Sequence, residues 1–358
     1  MDTFTLKPIL YFGDSALSAL EALSGRRVLV VTDEFLARRS GLLERVEAHL
    51  KGCALSVFDA VKPDPSLQLV AQGVHALRQF GPEVVLAFGG GSPMDCAKAM
   101  RHFAGGPPLP LWCVPTTAGT GSEVTSFAVL TDTDAGVKYP LVDGALLPDA
   151  AVLDASLLSG VPPAVTADTG MDVLTHAAEA CVATGATPFT DALGEKAFVL
   201  AYQNLPAACR GDGAARGRML LASCLSGIAF NAAGLGLCHA LSHALGGKYH
   251  LPHGRLNAML LPHVVAFNRA VGAAAERYAH LARLCGLAGS ARSLAAALSR
   301  LRQSLDMPAD LPACGVEPSA LAADLDALTA AALADVCAPS NPRPATAGDL
   351  AGILKALV

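Results

Sequence analysis

Charged residues are scarce in this chain of 358 residues: Asp, Glu, Lys and Arg together make up 16%, and tryptophan occurs once. Hydrophobic residues make up 52%, a composition too apolar and too weakly charged for a disordered protein. The net charge is -5 and no block of Lys and Arg is present, which argues against nucleic-acid binding because that function needs clustered cations. The length suits about two domains, each with a sizeable core.

Several common motifs are also missing. The ten cysteines contain no C-x-x-C pair, which excludes a zinc ribbon and a thioredoxin-type motif. The opening Met-Asp-Thr-Phe-Thr-Leu-Lys lacks a basic and an apolar segment, so no signal peptide is predicted. The uncharged stretch 219–238 is interrupted by serines, glycines and an asparagine, which favours a buried core helix over a membrane span. We therefore predict a cytoplasmic protein with reduced thiols.

The first half of the chain alternates short apolar runs with helical patterns. The runs lie at residues 27–32, 54–58, 84–88 and 111–114. Apolar strands separated by helices are typical of a parallel sheet covered on both faces. Beyond Val161-Pro-Pro163 the chain is rich in Ala and Leu, which indicates an all-helical domain. The prediction is α/β plus all-α: a Rossmann-like domain over 1–161, with a β-hairpin near 127–139, and a helical domain over 162–358.

Two predicted strands end in loops rich in glycine and hydroxyl groups. The run 84–88 leads into Gly-Gly-Gly-Ser-Pro, where Ser92 is a natural N-cap and Pro93 suits the first helical position. Such a helix start binds anions, pyrophosphate above all, and a plain tight turn is the alternative. The loop 115–123 should converge on the same sheet edge. Asp33, ending the first strand, is suited to hold a ribose diol, which favours NAD over NADP, or to cap the next helix.

Histidines cluster in the second half of the chain. Asp172 and His176, like His239 and His243, are four residues apart, which places both members of each pair on one helix face. One carboxylate with several imidazoles suits a divalent metal, with Fe(II) and Zn(II) as candidates. Spacing alone nominates these four residues, with His253 as a spare. For any single histidine, a core position with a satisfied hydrogen bond is the alternative.

Together these motifs resemble the iron-containing (group III) alcohol dehydrogenase family, which has the dehydroquinate synthase-like fold. The matching segments are residues 89–98, 115–125, 170–179 and 236–246. Within the family the sequence is most similar to the 1-propanol dehydrogenases of propanediol-utilisation microcompartments. That closer likeness is carried by residues 139–141, 169–176, 189–193 and 250–254.

The resemblance implies a role for each motif. It implies the metal ligands Asp172, His176, His239 and His253, and it moves His243 from the metal to a place beside the nicotinamide. There His243 would relay a proton or orient a water molecule near the metal. The role of His250 stays open. The implied cofactor contacts are Asp33, Asp64, Gly90, Gly91, Ser92, Asp95, Thr116, Thr117, Thr120, Thr125 and Lys138.

The activity implied is reversible hydride transfer between NAD(H) and a small aliphatic aldehyde, with propionaldehyde and 1-propanol as the favoured pair. A divalent metal would act as the Lewis acid, and Fe(II) is favoured over Zn(II). One alternative is a reductase of lactaldehyde, phosphonoacetaldehyde or sulfoacetaldehyde, and an anionic substrate would need basic side chains facing the pocket. Another is a shell-associated protein with incidental activity. The expected partners are a small substrate, a second copy in a homodimer and microcompartment proteins, with neither nucleic acid nor membrane.

Overall fold

The computed structural model describes residues 3–107, 109–133 and 137–358, and the side chains of 137–139 lie outside that description. The chain divides into two compact units, Thr5–Gly160 and Val161–Val358, and residues 3–4 group with the second unit. This grouping differs from the expected assignment of the first residues to the α/β domain. Within the second unit, the ring of Phe4 stacks on that of Phe189 with 5.5 Å between the centroids.

The unit Thr5–Gly160 is built on parallel strands. Its strands are β1 (Ile9–Phe12), β2 (Arg27–Asp33), β3 (Ala54–Val61), β4 (Val84–Gly89), β5 (Leu111–Pro115), β6 (Phe127–Asp132), β7 (Val137–Val142) and β8 (Ala150–Leu153). A six-stranded sheet runs in the order β1-β8-β5-β4-β2-β3, and its neighbouring strands pair in parallel. β6 and β7 form a separate antiparallel hairpin. The predicted fold class, with a parallel sheet in the first domain, is confirmed.

Helices cover this sheet. They are α1 (Glu34–Arg38), α2 (Leu42–Glu47), α3 (Leu67–Phe80) and α4 (Gly91–Ala104). Two short helices follow β2: α1 ends at Arg38, where Arg39 leaves the helical conformation with φ -127°, and Gly41, with φ 70°, is the N-cap of α2. One core holds apolar residues of β2, β4, β5, α3 and α4 together, including Val31, Ala87 and Met100. β4 is buried along its whole length, as expected for a central parallel strand.

The unit Val161–Val358 is helical throughout its named elements. They are α5 (Pro163–Val182), α6 (Pro188–Cys209), α7 (Gly213–Ala233), α8 (Leu237–Tyr249), α9 (His253–Asn268), α10 (Gly272–Leu284), α11 (Ala291–Ser304), α12 (Pro318–Ala334) and α13 (Ala347–Lys355). Proline opens α5 and α6, where its missing N–H costs no hydrogen bond. α5 is buried on all sides over its second half, which makes it the central helix of the unit.

The uncharged stretch 219–238 is divided between two helices. α7 ends at Ala233, α8 begins at Leu237, and the two axes differ in direction by 103°. The break falls at Gly234 and Gly236, and Gly234 has φ 86°, a conformation that favours glycine. In the part of the chain that the structure describes, no single helix is long and apolar enough to cross a membrane, and only the bent pair passes by length and composition.

Candidate functional site

The first glycine loop begins its helix earlier than the sequence suggested. α4 starts at Gly91 with Gly90 as its N-cap, so the prediction that Ser92 caps the helix and Pro93 opens it was wrong. Gly89 has φ 148°, which lets the backbone turn immediately after β4 and before the serine is reached. The N–H groups of the first helical turn therefore follow directly on the sheet edge, and such a helix N-terminus suits a pyrophosphate group.

The second loop lies against the first. Gly89 is paired with Pro115 in the register of β4 and β5, so both loops leave the sheet side by side. A Cβ atom added to Gly90 would lie 3.2 Å from Thr117 Oγ1, and one added to Gly91 would lie 2.9 Å from Thr120 Cγ2. The glycines thus leave a cradle lined by backbone and threonine hydroxyls. This arrangement brings together five of the predicted cofactor contacts and fits a nucleotide. They are Gly90, Gly91, Thr116, Thr117 and Thr120.

Two other predicted contacts belong to a buried polar brace. Ser122 Oγ donates to Asp95 Oδ1 at 2.7 Å, and the fully buried Lys98 ammonium donates to Ser122 Oγ at 2.8 Å, to Thr125 Oγ1 at 3.2 Å and to the Phe127 carbonyl at 2.7 Å. Burial lowers the pKa of Lys98, although Asp95 acts in the opposite direction. Sequence reasoning assigned Lys98 no role, and a lysine between two alanines, Ala97 and Ala99, was the available signal.

Glu123 is a buried acid beside this brace. Its side chain belongs to a residue that is 2% exposed, and within the described ranges no hydrogen-bond donor contacts its Oε1 atom. Burial raises the pKa of Glu123 to about 7, while the nearby Lys98 lowers it. The loop therefore contains a carboxyl group that the surrounding protein favours in its neutral form.

The remaining predicted cofactor residues follow β2, β3, β4 and the hairpin turn. Asp33 Oδ1 accepts from Leu36 N at 2.9 Å, so the capping alternative for this residue is realised at the start of α1. Asp64 has φ 54°, an unusual conformation for a non-glycine residue that is often found at functional sites. Ser92 lies within the first turn of α4. The side chain of Lys138 lies outside the described residues.

Four of the predicted metal ligands come together in the helical unit. Asp172 and His176 stand one turn apart on α5, His239 comes from α8 and His253 opens α9. Asp172 Oδ1 lies 3.9 Å from His176 Nε2, 3.7 Å from His239 Nε2 and 3.6 Å from His253 Nε2. Ligand atoms that bind one metal ion at about 2.1 Å lie at similar distances from one another. The donor set, one carboxylate and three imidazoles, fits a divalent metal such as Fe(II) or Zn(II).

Hydrogen bonds at the far side of two imidazoles orient these rings. His239 Nδ1 donates to Glu179 Oε2 at 2.6 Å. Ser242 Oγ donates to the His253 carbonyl at 3.2 Å, so its lone pairs can accept the Nδ1 hydrogen of His253 at 3.0 Å. In both rings Nδ1 is therefore engaged and Nε2 faces Asp172, where it would turn its lone pair to a bound ion. Asn257 Nδ2 also donates to Asp172 Oδ1, at 2.7 Å.

The charges of Asp172 and His239 support each other, whereas burial and the neighbouring imidazoles hold the pKa of His253 well below its usual value although Asp172 acts in the opposite direction. Burial would raise the pKa of Asp172, but the surrounding imidazoles outweigh it and hold that pKa well below its usual range. Burial likewise opposes the charged form of His239, but hydrogen bonds to Asp172 and Glu179 raise its pKa to about 9. A buried carboxylate kept ionised among imidazoles is suited to a cation.

His243 belongs to a neighbouring group instead. Its Nδ1 lies 2.8 Å from Asp335 Oδ2, and its ring stacks on that of His253 with 5.1 Å between centroids. Cys337 joins it and Asp335 in a second cluster of potential ligand atoms, apart from that of Asp172. This arrangement gives no support to grouping His243 with Asp172 by spacing alone, and the place of His243 beside the nicotinamide stays a prediction. Burial would raise the pKa of Asp335, but the hydrogen bond from His243 lowers it to about 2. No local pattern linked residues 92 positions apart.

The basic residues near the ligand motifs are paired with acids. Arg255 donates to Asp168 from Nε at 3.3 Å and from Nη2 at 3.0 Å, and Lys248 Nζ lies 2.9 Å from Asp324 Oδ1. His250 ends α8 in the left-handed conformation, with φ 55°, and is exposed. Its observed role is thus that of a helix C-cap.

A nucleotide cradle on a parallel sheet and a carboxylate–imidazole cluster in a helical unit define a class of metal- and nucleotide-dependent dehydrogenases. Residues 8–155 match the family model for iron-containing alcohol dehydrogenase, and residues 166–358 match the model for the C-terminal part of the Fe-containing alcohol dehydrogenase family. The chain belongs to the iron-containing alcohol dehydrogenase family and is an enzyme of that type. The resemblance stated from its motifs is confirmed.

Individual relatives match over their full length. The chain is 46% identical over 371 residues to the 1-propanol dehydrogenase PduQ of Salmonella typhimurium, with 100% of both chains covered. The iron-containing alcohol dehydrogenase of Thermococcus thioreducens superposes with a TM-score of 0.93 at 32% identity, covering 98% of both chains. A sulfoacetaldehyde reductase of Bifidobacterium kashiwanohense, solved in complex with NAD+, gives a TM-score of 0.91 at 28% identity, covering 100% of this chain and 98% of that one.

Proposed function

We propose that this alcohol dehydrogenase transfers hydride reversibly between NAD(H) and a small unfunctionalised aldehyde, with propionaldehyde and 1-propanol as the preferred pair. The observation that carries the proposal is the cluster of Asp172 with the Nε2 atoms of three histidines, all 3.6 to 3.9 Å away. The similarity to a 1-propanol dehydrogenase supports the choice of substrate.

Asp172, His176, His239 and His253 would hold the metal, for which Fe(II) is proposed and Zn(II) is the alternative. When bound, the metal supplies a Lewis acid that polarises the carbonyl group, and the nicotinamide supplies or accepts the hydride. The chain contributes orientation, because the Nδ1 bonds to Glu179 and Ser242 fix two of the rings. Such preorganisation lowers the cost of assembling the site.

NAD(H) is proposed over NADP(H). The cradle between the two loops would take the pyrophosphate, and Asp33 at the end of β2 would hold the ribose diol with the carboxylate oxygen that does not cap α1. A carboxylate in that place repels a 2′-phosphate. The proposed contacts are those expected from the sequence, namely Asp33, Asp64, Gly90, Gly91, Ser92, Asp95, Thr116, Thr117, Thr120, Thr125 and Lys138.

His243 is the proposed proton relay between the substrate oxygen and solvent. Asp335 takes its Nδ1 hydrogen, so the Nε2 atom carries the lone pair that accepts a proton. The His243 side chain is 26% exposed, which gives the relay access to water. The alternative role, orientation of a water molecule near the metal, predicts a loss of metal affinity on its removal instead of a change in the pH profile.

The ion pairs favour an uncharged substrate. Arg255 and Lys248, the basic residues nearest in sequence to the ligand motifs, are engaged by Asp168 and Asp324. Binding an anionic aldehyde through either cation would require breaking one of these pairs. Phosphonoacetaldehyde and sulfoacetaldehyde are therefore disfavoured, and a simple aliphatic aldehyde is preferred.

Two further proposals concern assembly. We propose that the enzyme forms a homodimer and that it works inside a bacterial microcompartment with shell or enzyme partners. Size-exclusion chromatography with light scattering tests the dimer, and a pull-down against shell proteins tests encapsulation. A monomer in the first experiment, or no specific shell partner in the second, would contradict the respective proposal.

The decisive experiment is an aldehyde panel. The purified enzyme is stripped of metal, reconstituted with Fe(II) or Zn(II), and assayed with NADH against aldehydes of two to four carbons with and without a charged group. We expect propionaldehyde to give the highest kcat/KM and activity to vanish on metal removal. Activity that is indifferent to metal removal would overturn the proposed mechanism, and preference for a charged aldehyde would overturn the substrate class.

A further inference from the structure

One buried carboxylate accepts three hydrogen bonds from the start of α8. Glu179, on α5, accepts from Gly236 N at 3.0 Å, from Cys238 N at 2.7 Å and from His239 Nδ1 at 2.6 Å. The first and third of these bonds end on Oε2 and the second on Oε1. Glu179 is almost fully buried, and the N-cap residue Gly236 makes no capping bond of its own. A side chain from another helix therefore serves as the cap of α8.

The position of Glu179 on α5 explains how it reaches this point. It follows Asp172 by seven residues and His176 by three, and these spacings place all three side chains on one face of the helix. One helix face thus supplies two proposed ligands together with the group that orients a third, His239. The geometry links the start of α8 to the metal cluster through a single side chain.

The backbone at this point has no space for a larger residue. A Cβ atom on Gly236 would lie 2.9 Å from Glu179 Oε1 and 2.8 Å from Asn341 Oδ1. Asn341, in the segment after α12, accepts from Leu237 N at 3.3 Å and from Asn268 Nδ2 at 3.0 Å. The start of α8 is therefore held by Glu179 and by Asn341, and both contacts depend on glycine at 236.

We propose that Glu179 is a positioning residue that determines how tightly the enzyme holds its metal. By accepting the Nδ1 hydrogen, Glu179 fixes the His239 ring so that Nε2 faces Asp172, and by capping α8 it fixes the backbone that carries this ring. This inference rests on the proposed metal site. Loss of a carboxylate partner of a ligating histidine typically weakens metal binding about 10- to 100-fold.

Glutamine is the informative replacement. The glutamine side chain has nearly the same shape as that of glutamate, but only its one oxygen accepts hydrogen bonds, and its NH2 group only donates them. It cannot serve the donors at both Oε1 and Oε2, so either Cys238 N or the pair of Gly236 N and His239 Nδ1 loses its acceptor. The matched control is Glu195→Gln in the same helical unit, since Glu195 pairs with the half-exposed His280 at 3.3 Å and is not among the proposed ligands or their partners.

The test measures Co(II) and Zn(II) binding to the wild type, Glu179→Gln and Glu195→Gln by competition with a chelator, with the visible spectrum of bound Co(II) and apo-protein thermal unfolding alongside. We expect Glu179→Gln to bind both ions about 10- to 100-fold more weakly and to change the Co(II) bands, while Glu195→Gln matches the wild type. A purely structural role would lower only the apo unfolding temperature and leave affinity and spectrum unchanged, which would overturn the proposal.

If Glu179→Gln does not fold, Glu179→Asp provides the test, because the shorter side chain keeps the charge but withdraws it from His239. Weakened Co(II) binding supports the proposal, and wild-type binding overturns it. Failure of the wild-type chain to bind one Co(II) ion would overturn the metal site and this inference together. Stoichiometric wild-type binding with an unaffected variant overturns the role of Glu179 alone.

Discussion

Replacing Glu123 by glutamine should stabilise the protein above neutral pH. Glu123 is buried in the second nucleotide loop, and in the described part of the chain no donor contacts its Oε1 atom. Burial raises its pKa from 4.5 to about 7 against the attraction of Lys98. Ionising it in the folded state therefore costs free energy that the unfolded chain, with its carboxyl group in water, does not spend.

The magnitude follows from this pKa. Each pKa unit corresponds to about 1.4 kcal/mol, so a rise from 4.5 to about 7 amounts to about 3 kcal/mol of unfolding free energy. Because the folded state binds the proton more tightly, the stabilisation by the neutral acid is complete below pH 4.5. It is lost as pH rises towards about 7 and stays lost above that. Glutamine does not ionise, so its advantage grows over this window and then levels off.

Urea unfolding at several values between pH 5 and pH 8.5 provides the assay. The one tryptophan, Trp112, lies in β5 of the same unit, so its fluorescence reports the unfolding of that unit. Glu44→Gln, at an exposed position of α2, is the control and should show no pH-dependent difference from the wild type. A Glu123→Gln variant whose advantage is independent of pH, or which is less stable than the wild type at pH 8, would refute the reasoning.

Three further outcomes are expected. Lys98→Met removes three hydrogen bonds from the loop brace and should weaken NADH binding at least about tenfold in a fluorescence titration; unchanged affinity would contradict the brace. His243→Ala should lower kcat about 100-fold or more and flatten the dependence of kcat on pH, while the metal content, measured by elemental analysis, stays constant. Loss of metal with an unchanged pH dependence would favour the water-orienting role. Gly254→Ala would drive a Cβ atom into the Asp168 main chain and should cost about 3 kcal/mol or more in urea unfolding, and a stable variant would show that this contact yields easily.

Features carried by neighbouring residues were predictable. The apolar runs of the central strands, the glycine loop after β4 and the four-residue spacing of Asp172 and His176 depend on local backbone geometry, which the order of residues encodes directly. Even there the structure made a correction. α4 begins at Gly91 rather than after Ser92, because Gly89 permits a turn that a capping rule for serine does not anticipate.

Partners distant along the chain were not predictable. Glu179 contacts His239 across 60 positions and Asp335 contacts His243 across 92, and no local pattern selects either acid from the others. Lys98 was hidden for the same reason, since its three acceptors lie 24 to 29 residues away. Contacts of this kind depend on how helices pack, and many different sequences satisfy the same local rules.

The sequence by itself determined the fold class, the family and the residue types available for a metal and a nucleotide, because strand and helix periodicity and long motifs are properties of consecutive residues. Only the tertiary structure decided which nitrogen of each imidazole faces Asp172, that Glu179 supports α8 and that Arg255 is neutralised by Asp168. The physical reason is that hydrogen-bond direction and ion pairing are set within about 3 Å, and only packing brings distant residues that close.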